Sequence, residues 1–481
     1  MSSLRTFTAG AVSLTILATG SMNALAEAEV YADFPVTVKG YDGDAKSSVS
    51  YSGQIARHIL HDSLKKLIGA DLPENEKYDL LMAYYAGKST GRAIIAPKSA
   101  GAFKIKQTDI DAVSGGKNLS GKTAKYNVTG MPRAMSGKEL VTFWLTKAAT
   151  TKNGVDLQNG YDYAQLVSKY VMGAVSFNQV VDHYLDEGLG PKNKPNDQAY
   201  KKGQPYTGKE HVWDEAFGYF GAPAHSLSLS ATDIYNIAKR GKKSKDPAAI
   251  MARADHNGDG VVDLKTEMVF GPAYYAAAFD KSAEKAGVDT NYTHEIFKAF
   301  VAGRKIITAA NGAKLSDKDR AALVALAAKI ETTWQTVLAE AVFKYAGAVL
   351  KDMSKLQVIV DANGDTKKQF AKYVKHWGEL KGFSLALQLG RKDLGETAAK
   401  LNRLIGAGPL LLNASQVVDI DRSGNYLRDQ GETWVGYMVH MAKIQRLMVS
   451  AFAVKVKAND ATSKLSRLVN AAGGGGNSEN D

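Results

Sequence analysis

Cysteine is absent from all 481 residues. That excludes disulfides, zinc–thiolate sites, a cysteine nucleophile and a lipid-modified cysteine behind a leader. A large chain without cross-links must be held by its core, by bound metal, or by both. Long apolar runs are lacking too. The run from Ala9 to Leu17 is too short to span a bilayer. With Arg5 ahead of it and Ala24-Leu25-Ala26 behind, residues 1–26 read as an export signal cleaved before Glu27. No other stretch is apolar enough to cross, so the mature chain is expected to be soluble, with no transmembrane segment. A periplasmic location in a Gram-negative bacterium fits best. Common catalytic signatures are also missing. There is no His-Glu-x-x-His, no Glu-x-x-His pair of di-iron bundles, no phosphate loop and no Gly-x-Ser-x-Gly elbow.

The formal charge is +12, and loss of Arg5 with the signal leaves +11. Such a balance raises nucleic acid as a partner, but export and the lack of a basic-aromatic motif argue against it. Lysines concentrate in Lys192–Lys202 and Lys239–Lys245. These stretches read as solvated loops; the sharper alternative is a rim that draws in an anionic ligand or lies against anionic envelope surfaces.

Apolar residues recur at spacings of three and four over Tyr163–Leu185, Ile296–Ala309, Ala321–Leu350 and Trp434–Val456, which predicts helices. Strand-like alternation is confined to Val36–Val38 and Lys104–Lys106. Residues 97–130, rich in Gly, Lys, Ser and Thr, read as an irregular insertion, and the Gly-rich tail 472–481 as disordered. The expected fold is all-α. Two bundles, 27–311 and 312–471, divide near Asn311-Gly312.

An internal comparison supports that division. Trp213-x-Glu215-x-x-Gly218-Tyr219 and Trp377-x-Glu379-x-x-Gly382-Phe383 share one pattern 164 residues apart (377 − 213). The same offset carries Asp255 onto Asp419, and one residue out of register Glu267 answers Glu432. Three matches in order at nearly one spacing read as a degenerate duplication.

Asp255, Asn257, Asp259, Gly260 and Asp263 occupy positions 1, 3, 5, 6 and 9 of a calcium loop. Alternate oxygens converge in such a turn, and Gly permits the bend. The closing acid comes one residue late, as Glu267 after Thr266. The alternative is an Asp/Asn/Gly turn capping the next helix. Asp419, Asp421, Ser423 and Asn425, with Glu432 behind them, form a weaker second loop. Asp361-Ala362-Asn363-Gly364-Asp365 lacks a downstream acid and reads as a helix-opening turn. His211, Asp214 and Glu215 share a helical face at i, i+3 and i+4, and His376 and Glu379 do so at i, i+3. An imidazole and a carboxylate one turn apart can share a transition metal or orient one another for proton transfer, or can simply be a structural pair.

Tyr51-Ser52-Gly53-Gln54-x-x-Arg57, the His211-x-Trp213-Asp214-Glu215-Ala216-Phe217-Gly218-Tyr219 helix, the Asp255 loop with Glu267, and Ala302-Gly303-Arg304 resemble an uncharacterised bacterial family of secreted proteins and lipoproteins, known only as a domain of unknown function. More distantly the chain is similar to imelysins, helical double-bundle envelope proteins classed as peptidases and often linked to iron uptake. Where their hallmark reads Gly-x-His-x-x-Glu, this chain reads Gly208-x-x-His211-x-x-Asp214. The expectation is a periplasmic metal-binding protein in iron or other metal acquisition. The His211 helix would supply the ligands, calcium would clamp the Asp255 loop, and envelope metal-uptake proteins would be partners. Two alternatives stay open: a hydrolase using His211 with Glu215 or Asp214, and a calcium-stabilised interaction protein.

Overall fold

The computed structural model describes residues 30–472. The export signal and the last nine residues of the tail therefore lie outside the described residues. An irregular arm, 30–51, leads into helices α1 (Ser52–Ile68), α2 (Glu74–Tyr85), α3 (Gly137–Ala149) and α4 (Tyr163–Val171). Two π-helical segments, Met172–Phe177 and Gln179–Tyr184, continue α4. Then follow α5 (Gly208–Phe220), α6 (Ala231–Ala238), α7 (Pro247–Ala254), α8 (Gly271–Ala286) and α9 (Tyr292–Ala309). The second half holds α10 (Asp317–Asp361), α11 (Lys367–Leu387), α12 (Gly395–Ile405), α13 (Trp434–Phe452) and α14 (Leu465–Ala471).

Local sequence sets many of these boundaries. Ser136/Glu139, Thr207/Glu210, Ser230/Asp233 and Ser316/Asp319 are capping boxes that satisfy the free N–H groups opening α3, α5, α6 and α10. Gly221, at φ +71°, ends α5 in the left-handed conformation. α10 is 45 residues long and packs against α8, α9, α11 and α13. Buried apolar side chains form one connected core from Tyr31 to Leu465, so the segments on either side of Asn311-Gly312 share it.

All four predicted stretches form helices, the last ending at Phe452 rather than Val456, and among the described residues the chain is mostly helix with three small two-stranded sheets. Val36–Val38 forms no strand, and Lys104–Lys106 contributes one isolated bridge, Ile105 to Val262. Residues 97–130 are irregular except for a four-residue helix at Asp111–Ser114, a 3-10 turn at Ser120–Lys122 and strand β1 (Asn127–Val128), which pairs with β2 (Met135–Ser136). β3 (Val155–Asp156) pairs with β4 (Tyr161–Asp162). The longest sheet is the hairpin β5 (Ser415–Ile420)/β6 (Tyr426–Gln430), in the segment read from sequence as the second acidic loop. Asp365 accepts the Lys367 N–H at 3.0 Å, so the Asp361–Asp365 segment does open a helix, α11. Among the described residues, no helix is long and apolar enough to cross a membrane.

Two buried polar centres join distant segments. Fully buried Arg304 of α9 bonds Asp214 and Glu210 of α5, each at 2.9 Å. Fully buried Glu340 of α10 accepts the Lys455, Val456 and Lys457 N–H groups and the Tyr292 hydroxyl. Beside the first centre, the Trp213 indole donates to the Phe300 carbonyl at 2.8 Å and lies against Gly303, where a Cβ would overlap the ring. Gly303→Ala is therefore expected to destabilise by about 1–3 kcal/mol, the usual range for overpacking. A thermal melt checks this, and an unchanged melting temperature would show that the α5–α9 contact gives way freely.

Candidate functional site

Bonds from Arg304 of α9 to Glu210 and Asp214 fix the rotation of α5, the helix that carries His211, Asp214 and Glu215, and the structure splits the three. Asp214 is fully buried on the core side. Its Oδ1 accepts from Tyr31 at 3.0 Å and Arg304 at 2.9 Å, and its Oδ2 from the Ser50 N–H at 3.1 Å. Glu210 accepts from Thr37 and from the Thr207 N–H. Asp214 thus belongs to a clamp between α5, α9 and the arm, and does not face the side on which His211 meets Glu215.

His211 and Glu215 do come together, with Nε2 3.6 Å from Oε2. The imidazole stacks on Tyr206 at 4.7 Å and lies 4.1 Å from the Tyr200 ring. Its Nδ1 is buried without a hydrogen-bond partner. Burial lowers the His211 pKa and Glu215 pulls it back up, so the ring is neutral at neutral pH. Glu215 Oε1 accepts from Gln54 at 2.6 Å.

His376 and Glu379 share a face of α11 but turn to different neighbours. His376 Nδ1 bonds Asp352 of α10. Glu379 accepts from the Tyr345 hydroxyl at 3.2 Å and lies 3.9 Å from Lys169 Nζ. The structure does not bring this pair together.

The Asp255 loop is closed by its own backbone. Asp255 accepts the Asp259 N–H at 3.1 Å and the Gly260 N–H at 2.8 Å. Asn257 accepts the Asp259 N–H, and Asp259 accepts the Val261 N–H. Buried Glu267 bridges the base of the loop, accepting from His256, Asn257 and Asp263 N–H groups. Lys106, from the irregular insertion, puts its ammonium 3.2 Å from Asp259 and 3.7 Å from Asp263.

In the second segment Asp419 lies on β5 and bonds only the adjacent Ile420 N–H. Asp421 takes the turn-forming role instead, accepting the Asn425 N–H at 2.8 Å and the Asn425 side chain at 3.0 Å. The bond from the N–H of residue i+4 to the carboxylate of residue i is the one Asp255 accepts from Asp259, and here Asp421 rather than Asp419 makes it. Ser423 lies within this turn, and exposed Glu432 folds back onto the Thr433 N–H. Among the described residues, no group of three or more His, Asp or Glu is arranged to hold a metal ion.

A cavity lined by charged side chains lies elsewhere. It encloses about 380 Å³ between α1, α4, α6, α8, α10 and α11. Lys65, Lys169, Lys239 and Lys375 line it, against Asp62 and Glu379, with Tyr274 and Tyr275 in the wall. Lys169 is buried and pairs with Glu379; among the described residues Lys65, Lys239 and Lys375 form no ion pair. Lys239 Nζ sits 4.0 Å over the Tyr274 ring. Burial, reinforced by the Lys169 ammonium, brings Lys65 down to about 7. Burial brings Lys239 to about 8 and raises Asp62 to about 6. Lys209 and Lys381 are buried and depressed as well, to about 8 and about 7. Their ammoniums are capped by carbonyls, of Gly188, Gly190 and Asn193 for the first and of Gly130 and Gly406 for the second. The cavity lysines have no such caps.

Sequence reading reached only Glu379 and the Lys239 end of this cavity. Lys169 carried a signal, a cation inside the apolar periodicity of Tyr163–Leu185. Lys65 carried none, since it follows α1's polar face in sequence.

Residues 39–255 match the model of a family described as a domain of unknown function (DUF4856). The resemblance to an uncharacterised domain family holds over this stretch, which includes the Tyr51 motif and the His211 helix. No curated protein and no solved structure matches the chain.

The split of the α5 triad has a direct test. Asp214→Ala removes one of the two carboxylates that neutralise Arg304 in the core and is expected to cost about 3–5 kcal/mol. Glu215→Gln, at the half-buried rim, is expected to change stability by less than about 1 kcal/mol. Denaturant melts compare the two, and equal losses would contradict this division of roles.

Proposed function

We propose that this is an exported binding protein whose ligand is a small dianion taken into the Lys65–Lys169–Lys239 cavity. One observation carries the reading. Lysine ammoniums converge in a recessed space with too few acceptors, and an unpaired charge removed from water is costly. Four lysines face two carboxylates there, a formal excess of two positive charges. A ligand carrying two negative charges restores the balance, while tyrosine faces accommodate a compact body. The same field opposes a bare cation. This shifts the metal-acquisition expectation, because the other candidate, His211 with Glu215, offers two protein ligands and stands among lysines of its own.

The repeated Trp-x-Glu-x-x-Gly-aromatic pattern fits a duplicated helical architecture. Gly218 lets α5 approach the start of α1 at Tyr51 and Gln54, and Gly382 lets α11 approach the middle of α4 at Leu166 and Lys169. Each pattern thus brings a glutamate against another helix.

A second reading concerns calcium and is favoured by one shared feature. Asp255 and Asp421 each tie down the N–H four residues on, as the first acid of a calcium loop does, and Glu432 stands eleven residues after Asp421 (432 − 421). In this reading calcium clamps the turns and stays outside the ligand cavity. Lys106 would swing away from Asp259 to admit it.

Phosphate and succinate serve as probes for the cavity. Either is expected to raise the melting temperature, and Lys65→Met is expected to weaken binding tenfold or more, the loss of about one charged hydrogen bond. Lys65 and Lys239, depressed to about 7 and about 8, are charged below these values. Affinity should therefore be highest below pH 7 and fall as pH rises through 7 to 8. Without ligand the sign reverses. The folded state binds these protons less readily than the unfolded chain, so the two groups add stability as pH rises from about 7 towards 10.5. Failure of both anions to shift the melt at pH 6.5 would overturn the cavity reading. For calcium, a chelator is expected to lower stability by about 1–3 kcal/mol at millimolar reference calcium, and Asp259→Ala should abolish that sensitivity. A melt indifferent to chelator would reject the loops as calcium sites.

A further inference from the structure

Where helix α5 packs on the first turns of α1, cations again outnumber carboxylates, on residues other than those of the Lys65 cavity. We infer that Arg57, Lys117 and Lys122 form a second site for a small oxyanion, with His211 and Glu215 at its edge.

Geometry brings these groups together. At Gly53 an added Cβ would lie 3.0 Å from Lys117 Cε and 3.7 Å from an Arg57 terminal nitrogen, so both cations crowd the one residue without a side chain. The next residue, Gln54, holds Glu215 at 2.6 Å, and Glu215 in turn stands 3.6 Å from His211. Lys122 Nζ lies 3.3 Å from the Tyr184 hydroxyl, and the Tyr184 ring is 6.0 Å from that of Tyr219. The Tyr219 hydroxyl is buried beside Arg57. Lys194 and Lys201 complete the rim, over the Tyr200 ring at 4.6 and 5.6 Å.

Acceptors are scarce. Arg57 donates to the Asn118 and Gly53 carbonyls. Among the described residues, Arg57, Lys117, Lys122, Lys194 and Lys201 form no ion pair, and Glu215 is the carboxylate placed between them. Arg57, Lys117 and Lys122 are half-buried, which suits a small ion better than an extended polyanion lying across the surface. Burial lowers the pKa of Lys117 and of Lys122, and the neighbouring Arg57 cation adds to both shifts.

The two sites use opposite ends of the same helices. α1 gives Gln54 and Arg57 to this site and His61, Asp62 and Lys65 to the larger cavity. α4 gives Gln165, Ser168 and Lys169 to the cavity, and Tyr184, at the end of its π-helical continuation, to the second site. Glu215 and Glu379, at matching positions of the repeated pattern, each mark one site. Occupancy of one site does not require the other.

The test follows the His211 imidazole by NMR during phosphate titration, with His211→Gln to assign its signals. The groups that set its titration are Glu215, Lys194, Lys201 and Lys117. A bound dianion stabilises the imidazolium, so phosphate is expected to raise the His211 pKa by roughly one unit. Lys117→Met/Lys122→Met should lose that shift while keeping its helical circular dichroism; if the double variant does not fold, Lys117→Met alone should still reduce it. Lys65→Met/Lys169→Met should retain the shift, which separates this site from the larger cavity. A His211 titration that phosphate leaves unmoved in the wild-type protein, or a shift that survives in the folded Lys117 variants, overturns the second site.

Discussion

Arg304 is the charge around which the N-terminal half is organised. It is fully buried, and a guanidinium cannot escape the energetic cost by losing its proton. The surrounding chain must therefore supply acceptors, and it does so from three directions. Asp214 and Glu210 come from one helix, Thr308 from the next turn of α9, and Ser48 from the irregular arm. Phe34 covers the guanidinium at 4.9 Å. Because α5 is held in rotation by this clamp, its opposite edge is held as well. That edge carries His211 and Glu215. Removing either acidic residue from the clamp would leave the buried arginine one carboxylate instead of two, a loss its fixed charge cannot relieve.

Buried and half-buried lysines fall into two physical classes. Lys209 and Lys381 each end among backbone carbonyls, where the ammonium is solvated by the fold itself, and their role is to tie loops to helices. Lys65, Lys239, Lys117 and Lys122 lack such carbonyl cages. Depressed pKa values occur in both classes, since desolvation acts on every buried ammonium. The geometry of acceptors, rather than the shift, separates a structural lysine from one left available to a ligand.

The acidic loops illustrate the limits of a motif. Residue spacing identified Asp255–Asp263 as an acidic turn, and Asp255, Asn257 and Asp259 turn back onto its backbone N–H groups. Spacing alone did not reveal that Lys106, about 150 residues earlier in the chain (259 − 106 = 153), reaches Asp259 and Asp263. Nor did it reveal that Asp419 sits in a strand while Asp421 makes the turn. A hairpin register is set by cross-strand pairing, and a match of acidic letters counted along the chain does not report it.

Sequence by itself determined what depends on near neighbours. The helical periodicities of α4, α9, α10 and α13, the capping boxes, the helix-opening turn at Asp365 and the shared face of His211 and Glu215 all involve residues a few positions apart. Tertiary structure decided what depends on distant partners. It sent Asp214 to Arg304, His376 to Asp352 and Glu379 to Lys169, separating residues that share a helical face. It also gathered lysines from α1, α4, α6 and α11 into one cavity. The physical reason is that a helix fixes only the angle at which a side chain leaves the backbone, whereas the charge it meets there belongs to whichever helix packs against that face.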